Sequence, residues 1–358
     1  MFDARTQIFL FDTILLVFIV FIVLFILFRS KSYKLLIGSN GILCLLTLFC
    51  ICFIGIREWW KEEFFVDSIR YGMSYLDLLK WDSDLEDAKD VGFNAFSLFC
   101  ASIGCSVDVY FVLCACLYVI PLALVSFRLS KNNCVLFFLF IITSMSFYNY
   151  GVNGIRNGIA TSLLLYAIIC YKHRIRFIFF AILAVLFHKS VLLPFAAFLI
   201  VCSFPRVKFY SKVWLFSIPL SFLVFQMVSD IILGISYIAD RAENYFSGEA
   251  NADVFSRGGF RYDCLLYSAV PIVIGFYFFF RKNFKDVLYE RLFCSYLLCN
   301  AFWVLINQVP FSNRFAYLSW FMMPILVLYP FIFCSQVRYR YSKIAIMLLG
   351  YYCFTLVV

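Results

Sequence analysis

Apolar residues come along this chain in long runs separated by short polar segments. The runs fall at 8–28, 35–56, 108–127, 134–150, 155–171, 213–238, 263–280, 287–309, 314–333 and 342–358. A helix rises 1.5 Å per residue, so about 20 apolar residues cross a hydrocarbon core of about 30 Å. Each run therefore predicts a membrane helix. The chain predicts an all-α polytopic transmembrane protein, a single integral membrane domain over 1–358.

The polar segments orient the helices. Six of them, at 29–34, 128–131, 172–176, 206–212, 281–285 and 338–343, hold 17 of the 30 Lys and Arg residues. Short basic loops stay on the cytoplasmic side, which places all six inside. The crossings between them then pair as out and back. Two long segments are left outside. One, 57–92, is rich in acidic residues such as Glu58, Asp67 and Asp77; the other, 239–263, carries Asp240, Arg241, Arg257 and Arg261. The outer face is where a site has room to form.

One run breaks the pairing. Residues 177–203 lie between two inside loops, so a single helix would put those loops on opposite sides. A hairpin turning at His188-Lys189-Ser190 removes the conflict. Its first arm, 177–187, is about 16 Å long, half a bilayer, so the turn is expected within membrane depth, where irregular backbone must face protein or a cavity. The alternative is one tilted helix. With the hairpin, ten to twelve membrane segments are expected.

Composition agrees. The chain is 64% hydrophobic and 14% charged, against about 45–50% and about 25% for a soluble domain. The net charge of +9 is accounted for by topology and does not call for a nucleic-acid partner. The first run is expected to be an uncleaved anchor, because Asp3 and Arg5 precede it and basic residues follow it. Of the fifteen cysteines, most, such as Cys50, Cys114 and Cys299, sit inside apolar runs as small hydrophobes. No zinc spacing, phosphate loop or fixed repeat occurs, and neither metal nor cofactor is expected.

Charged residues near the bilayer core are costly and point to function. Arg156 follows Asn153-Gly154, which can cap a returning helix. Its first turn would offer unpaired N–H groups and a positive dipole end, a site for an anion; the other reading is an ion pair with an acidic residue of the first outer loop. Arg314 follows Ser312-Asn313 in the same way, with Tyr317 on its face, or snorkels to the interface. His188, at the hairpin apex, is a candidate base, or a buried structural histidine. Asp67, Tyr71 and Tyr75 recur every four residues, one face of a short outer helix suited to sugar hydroxyls and ring faces, or an interfacial amphipathic helix.

Together these landmarks resemble the EpsG family of bacterial polysaccharide polymerases, a branch of the Wzy type. The resemblance runs over about 35–330. It rests on Arg57, Asp67 and Tyr71; on Arg156-Asn157-Gly158-Ile159-Ala160; on His188-Lys189-Ser190 with Pro194; and on Arg314 with Tyr317. Val66 stands where the family usually has Gly. The resemblance implies a glycosyltransferase of the bacterial inner membrane, active at the periplasmic face. It would join oligosaccharide repeat units carried on undecaprenyl pyrophosphate into O-antigen of lipopolysaccharide, capsule or exopolysaccharide. Arg156 and Arg314 would bind the pyrophosphate, and His188, or else Asp67, would take the acceptor proton. Arg57, Tyr71 and Tyr317 would contact sugar. The partners implied are lipid-linked oligosaccharides and a separate chain-length regulator. A fold akin to the GT-C class is an analogy with related membrane glycosyltransferases. Two other functions use similar features: a ligase drawing on the same carrier, and a carrier-lipid flippase, which would call for inverted repeats that the sequence lacks.

Overall fold

The computed structural model describes residues 3–28, 33–61, 65–80, 90–234, 260–308 and 312–357, and these contain helices and connections but no strand. In chain order the helices are α1 (Ala4–Leu27), α2 (Tyr33–Ile37), α3 (Asn40–Gly55), α4 (Val66–Leu79), α5 (Val91–Ser102), α6 (Val107–Leu129), α7 (Cys134–Ile142), α8 (Met145–Val152), α9 (Ile155–Ile169) and α10 (Arg174–Phe187). They continue with α11 (Leu192–Ser203), α12 (Val207–Gly234), α13 (Tyr262–Phe276), α14 (Val287–Leu305), α15 (Asn313–Trp320), α16 (Met323–Phe333) and α17 (Arg340–Val357).

Every apolar run predicted as a membrane segment contains helix, and several are broken. The run 134–150 is split into α7 and α8, which meet at a 71° bend. At the break Thr143 and Ser144 turn their hydroxyls back onto the carbonyls of Leu139 and Ile141, both at 2.7 Å, a known way to loosen a helix. The run 314–333 is split between α15 and α16. The run 177–203 is interrupted at His188, whose backbone is extended (φ −160°, ψ 122°), by a short 3-10 turn at Lys189–Val191. One continuous helix there is excluded. Helix α5 falls in a stretch where the apolar runs predict nothing. Among the described residues, four helical stretches are long and apolar enough to cross a membrane (Ala4–Leu27, Val107–Leu129, Tyr262–Arg281 and Arg314–Phe333), or five if the bent α7–α8 pair counts as one span; four shorter apolar helices accompany them. Large apolar side chains remain exposed along α1 and α10, Phe9 at 66% and Ile175 at 86% among them, as expected where lipid is the solvent. The chain is a membrane protein.

The chain folds as two compact units, one of Met1–Leu192 with Phe331–Val358, the other of Leu193–Pro330. In the first, α7 is the buried centre, with none of its residues more than 4% exposed. Helix α6 packs on α3, α7 and α9, and α9 packs on α10. Helix α1 pairs with α17, where the Tyr352 hydroxyl donates to the Asp12 carboxylate at 3.1 Å. The Thr143 carbonyl, freed by the bend, accepts from Thr355 at 2.8 Å.

In the second unit α14 packs on α12, α13 and α15. Polar side chains join these helices: Trp214 donates to Asn300 (2.8 Å), Asn300 to Ser319 (3.0 Å), and Trp320 to Ser268 (2.7 Å). In a membrane such bonds and close packing hold helices together, because burial from lipid supplies little.

Candidate functional site

The site lies in the first unit, where α4, α5, α9 and α10 bring their ends together. Helix α8 has its C-cap at Asn153, whose N–H still bonds the Asn149 carbonyl, and Gly154 caps α9, which puts Arg156 in the first turn as expected. Helix α10 stops at His188. Helix α5 begins just after Asp90, and α4 carries Tyr71. Helix α5 approaches α10 very closely: a Cβ on Gly92 would lie 2.9 Å from the backbone carbon of Leu186. Only glycine permits that approach, and it brings Asp90 to His188.

Asp90 is the hub. Its carboxylate accepts from the Arg156 guanidinium at 2.8 Å and sits 3.0 Å from His188 Nδ1. Asp90 is 4% exposed, whereas the side chains of Arg156 and His188 are 29% and 22% exposed. A buried carboxylate is thus satisfied by two groups that open toward solvent. Burial acts most strongly on Asp90 and opposes its charge. The His188 hydrogen bond and charge, Arg156 and the Lys189 N–H outweigh it, and hold the carboxyl below its ordinary range. Asp90 therefore stays ionised at neutral pH.

The remaining bonds extend this core. Arg156 Nε donates to the Tyr71 hydroxyl at 3.2 Å, and the guanidinium lies 5.5 Å from the Tyr71 ring centroid and 6.0 Å from that of Phe93. Arg156 Nη2 and His188 Nε2 make no hydrogen bond among the described residues. On the other side Ser190 donates to Asn157 (3.2 Å), which donates to the Tyr150 hydroxyl (3.1 Å). Among the described residues no three His, Cys, Asp or Glu side chains gather as a metal ion would need.

Of the residues singled out in the sequence, the structure brings Arg156, His188 and Tyr71 together. Asp67 is half-buried in the first turn of α4, one turn before Tyr71. Arg57 is 1% exposed. It donates to the Ile54 carbonyl, to Ser68 (3.1 Å) and to the Val152 carbonyl (3.4 Å), and covers the Phe111 ring at 4.3 Å. It ties the end of α3 to α4 and α8. Tyr75 is buried and stacked on Tyr110, centroids 4.1 Å apart.

Arg314 and Tyr317 belong to the second unit. Arg314 is exposed in the first turn of α15, and Tyr317 is 8% exposed with its ring 5.2 Å from that of Trp320. Of the second outer loop, expected over 239–263, the part 239–259 lies outside the described residues. At its end Arg261 pairs with Asp263 at 2.7 Å.

The residue that sequence reasoning passed over is Asp90. Its signal was local: an Asp immediately before Val91-Gly92-Phe93, at the position where acidic residues start apolar helices. The reading of Arg156 as paired with an acidic residue of the first outer loop has Asp90 as that residue, and Nη2 is still left over for an anion.

No curated protein and no solved structure matches the sequence. The sequence model of the EpsG family, which is associated with polysaccharide polymerase-like membrane proteins, matches residues 40–358, and the chain belongs to that family.

Proposed function

We propose that the protein is a glycosyltransferase that polymerises oligosaccharide repeat units carried on undecaprenyl pyrophosphate, at the periplasmic face of the bacterial inner membrane. The observation that supports this most is the shared carboxylate of Asp90, which holds a histidine and an arginine side by side. Its contact with Nδ1 sets the His188 tautomer and leaves Nε2 as the proton acceptor. The acceptor sugar hydroxyl gives its proton to Nε2 as its oxygen attacks the anomeric carbon of the donor chain. The bond from that carbon to the pyrophosphate oxygen breaks, and the carrier pyrophosphate leaves with the electron pair. Arg156 Nη2, backed by the α9 N-terminus, meets the negative charge that develops there.

Tyr71 steadies Arg156 and offers a ring edge to sugar, and Arg57 holds α4 in place through Ser68. Asp67 is the competing base. Arg314, with Tyr317, is assigned a second contact to the carrier pyrophosphate or its sugar. Arginine supplies the positive charge, so no metal is invoked.

The test is a glycan ladder from a strain lacking the gene, restored with wild-type or variant copies. Wild type is expected to restore long chains. His188→Ala and Arg156→Ala are expected to leave single repeat units, with the protein still in the membrane. Normal ladders in both variants would overturn the site assignment. Long chains left on the lipid carrier in the deletion strain would indicate a ligase, and repeat units that never reach the outer face a flippase.

A further inference from the structure

Helix α5 ends in a left-handed turn built by Gly104 (φ +72°). The Gly104 N–H donates to the Ala101 carbonyl at 2.9 Å, and the Cys105 N–H reaches back to the Cys100 carbonyl at 3.0 Å. This pair of bonds is the Schellman arrangement, and it makes the side chains of its first and last residues touch. That contact is ordinarily between two apolar residues. Here both positions are cysteine, and both are free thiols in the structure. A main-chain hydrogen bond between two residues keeps their Cα atoms near the separation of about 4.4–6.8 Å that a disulfide spans. Cys100 is fully buried, while Cys105 is half-exposed.

The corner also has a direction. Helix α6 starts two residues after Cys105 and has 23 residues, about 34 Å at 1.5 Å each, a full crossing. Its far end carries Arg128 and leads into a basic segment, which belongs in the cytoplasm. The Cys100–Cys105 corner is therefore at the outer end, where thiols are exposed to oxidation.

We propose that Cys100 and Cys105 form a disulfide on the outer face, an inference that rests on the outward placement used above. The thiolate of Cys105, the accessible one, attacks a sulfur of a donor protein disulfide and expels the donor's second thiolate. The neighbouring Cys100 thiolate then displaces the donor's first sulfur. Two thiol protons are released, the pair is oxidised by two electrons, and the donor is reduced to a dithiol. The bond fixes the corner to which α4 is already tied, since the Tyr75 hydroxyl donates to the Cys105 carbonyl at 2.9 Å.

The full-length protein in membranes decides the matter. Thiols are blocked with N-ethylmaleimide in denaturant, disulfides are reduced and labelled with iodoacetamide, and peptides are read by mass spectrometry. Cys100 and Cys105 are expected to carry the second label, and Cys105→Ser is expected to move Cys100 to the first. Maleimide on both cysteines of the wild type would overturn the proposal. The same membranes treated with 4,4′-dithiodipyridine then locate the failure: closure of the pair places it in the outward reading, and no closure places it in the contact itself.

Discussion

Arg156 and Arg314 each sit in the first turn of a helix that follows a polar break, Asn153-Gly154 before α9 and Ser312 before α15. Arg156 is held by Asp90 and Tyr71, which come from two other helical segments of the first unit. Arg314 projects from α15 in the second unit as an exposed side chain. The same local sequence signal thus serves two different purposes. In the first unit the helix start completes a network around a buried carboxylate. In the second it starts a helix with an arginine that stays exposed.

The largest effects test this contrast directly. Arg156→Ala is expected to lower chain formation about 10²- to 10³-fold, as loss of a donor to developing charge does. It is also expected to lower stability by about 3 kcal/mol, because the Asp90 carboxylate is left buried without its guanidinium. Arg314→Ala is expected to reduce chain formation as well, with a stability loss of no more than about 1 kcal/mol, because the side chain is exposed. Thermal melts in detergent read beside the glycan ladder check both, and an equal loss of stability would remove the distinction.

An intermediate effect isolates the hub. Asp90→Asn keeps the shape and removes the charge, and is expected to slow chain formation about 10- to 100-fold, the worth of a hydrogen bond to a charged group. In a His188→Ala background the same change is expected to cost much less, since part of its effect runs through the imidazole. Full additivity of the two losses would separate Asp90 from His188.

The smallest effect is in pH. Asp90 is held below its ordinary value of 3.8. A carboxyl depressed by folding contributes its stability in full above the unfolded value and loses it as pH falls through the lower folded one. Asp90's own contribution to the stability difference between wild type and Asp90→Asn is therefore expected to shrink as pH falls below 3.8. Denaturation at stepped pH measures it.

What the sequence disclosed follows from what is local. Apolar runs of membrane length announced the helices, and the polar triplet at His188 announced a break, because both are properties of consecutive residues. The α7–α8 bend was less visible. Thr143 and Ser144 sit inside an apolar run, and their hydroxyls bond the helix's own carbonyls. Asp90 was missed for a different reason. Its partners are 66 and 98 residues away, and its place at a helix start says nothing about them. The approach that brings it to His188 depends on Gly92 meeting the backbone of Leu186, a fit that exists only once both helices are placed.

The pairing of α1 with α17 has a bearing on how the protein is made. Asp12 waits for a hydroxyl that lies 340 residues further along the chain. At about 5–20 residues per second, a ribosome needs about 20–70 s to reach it. Through that interval the nascent chain carries an acidic side chain in a membrane helix before its eventual partner exists. A ribosome that stalls before Arg340 leaves the unit that holds Asp90, Arg156 and His188 without its last wall. Premature termination far downstream of those residues would thus be felt first at the opposite end of the polypeptide.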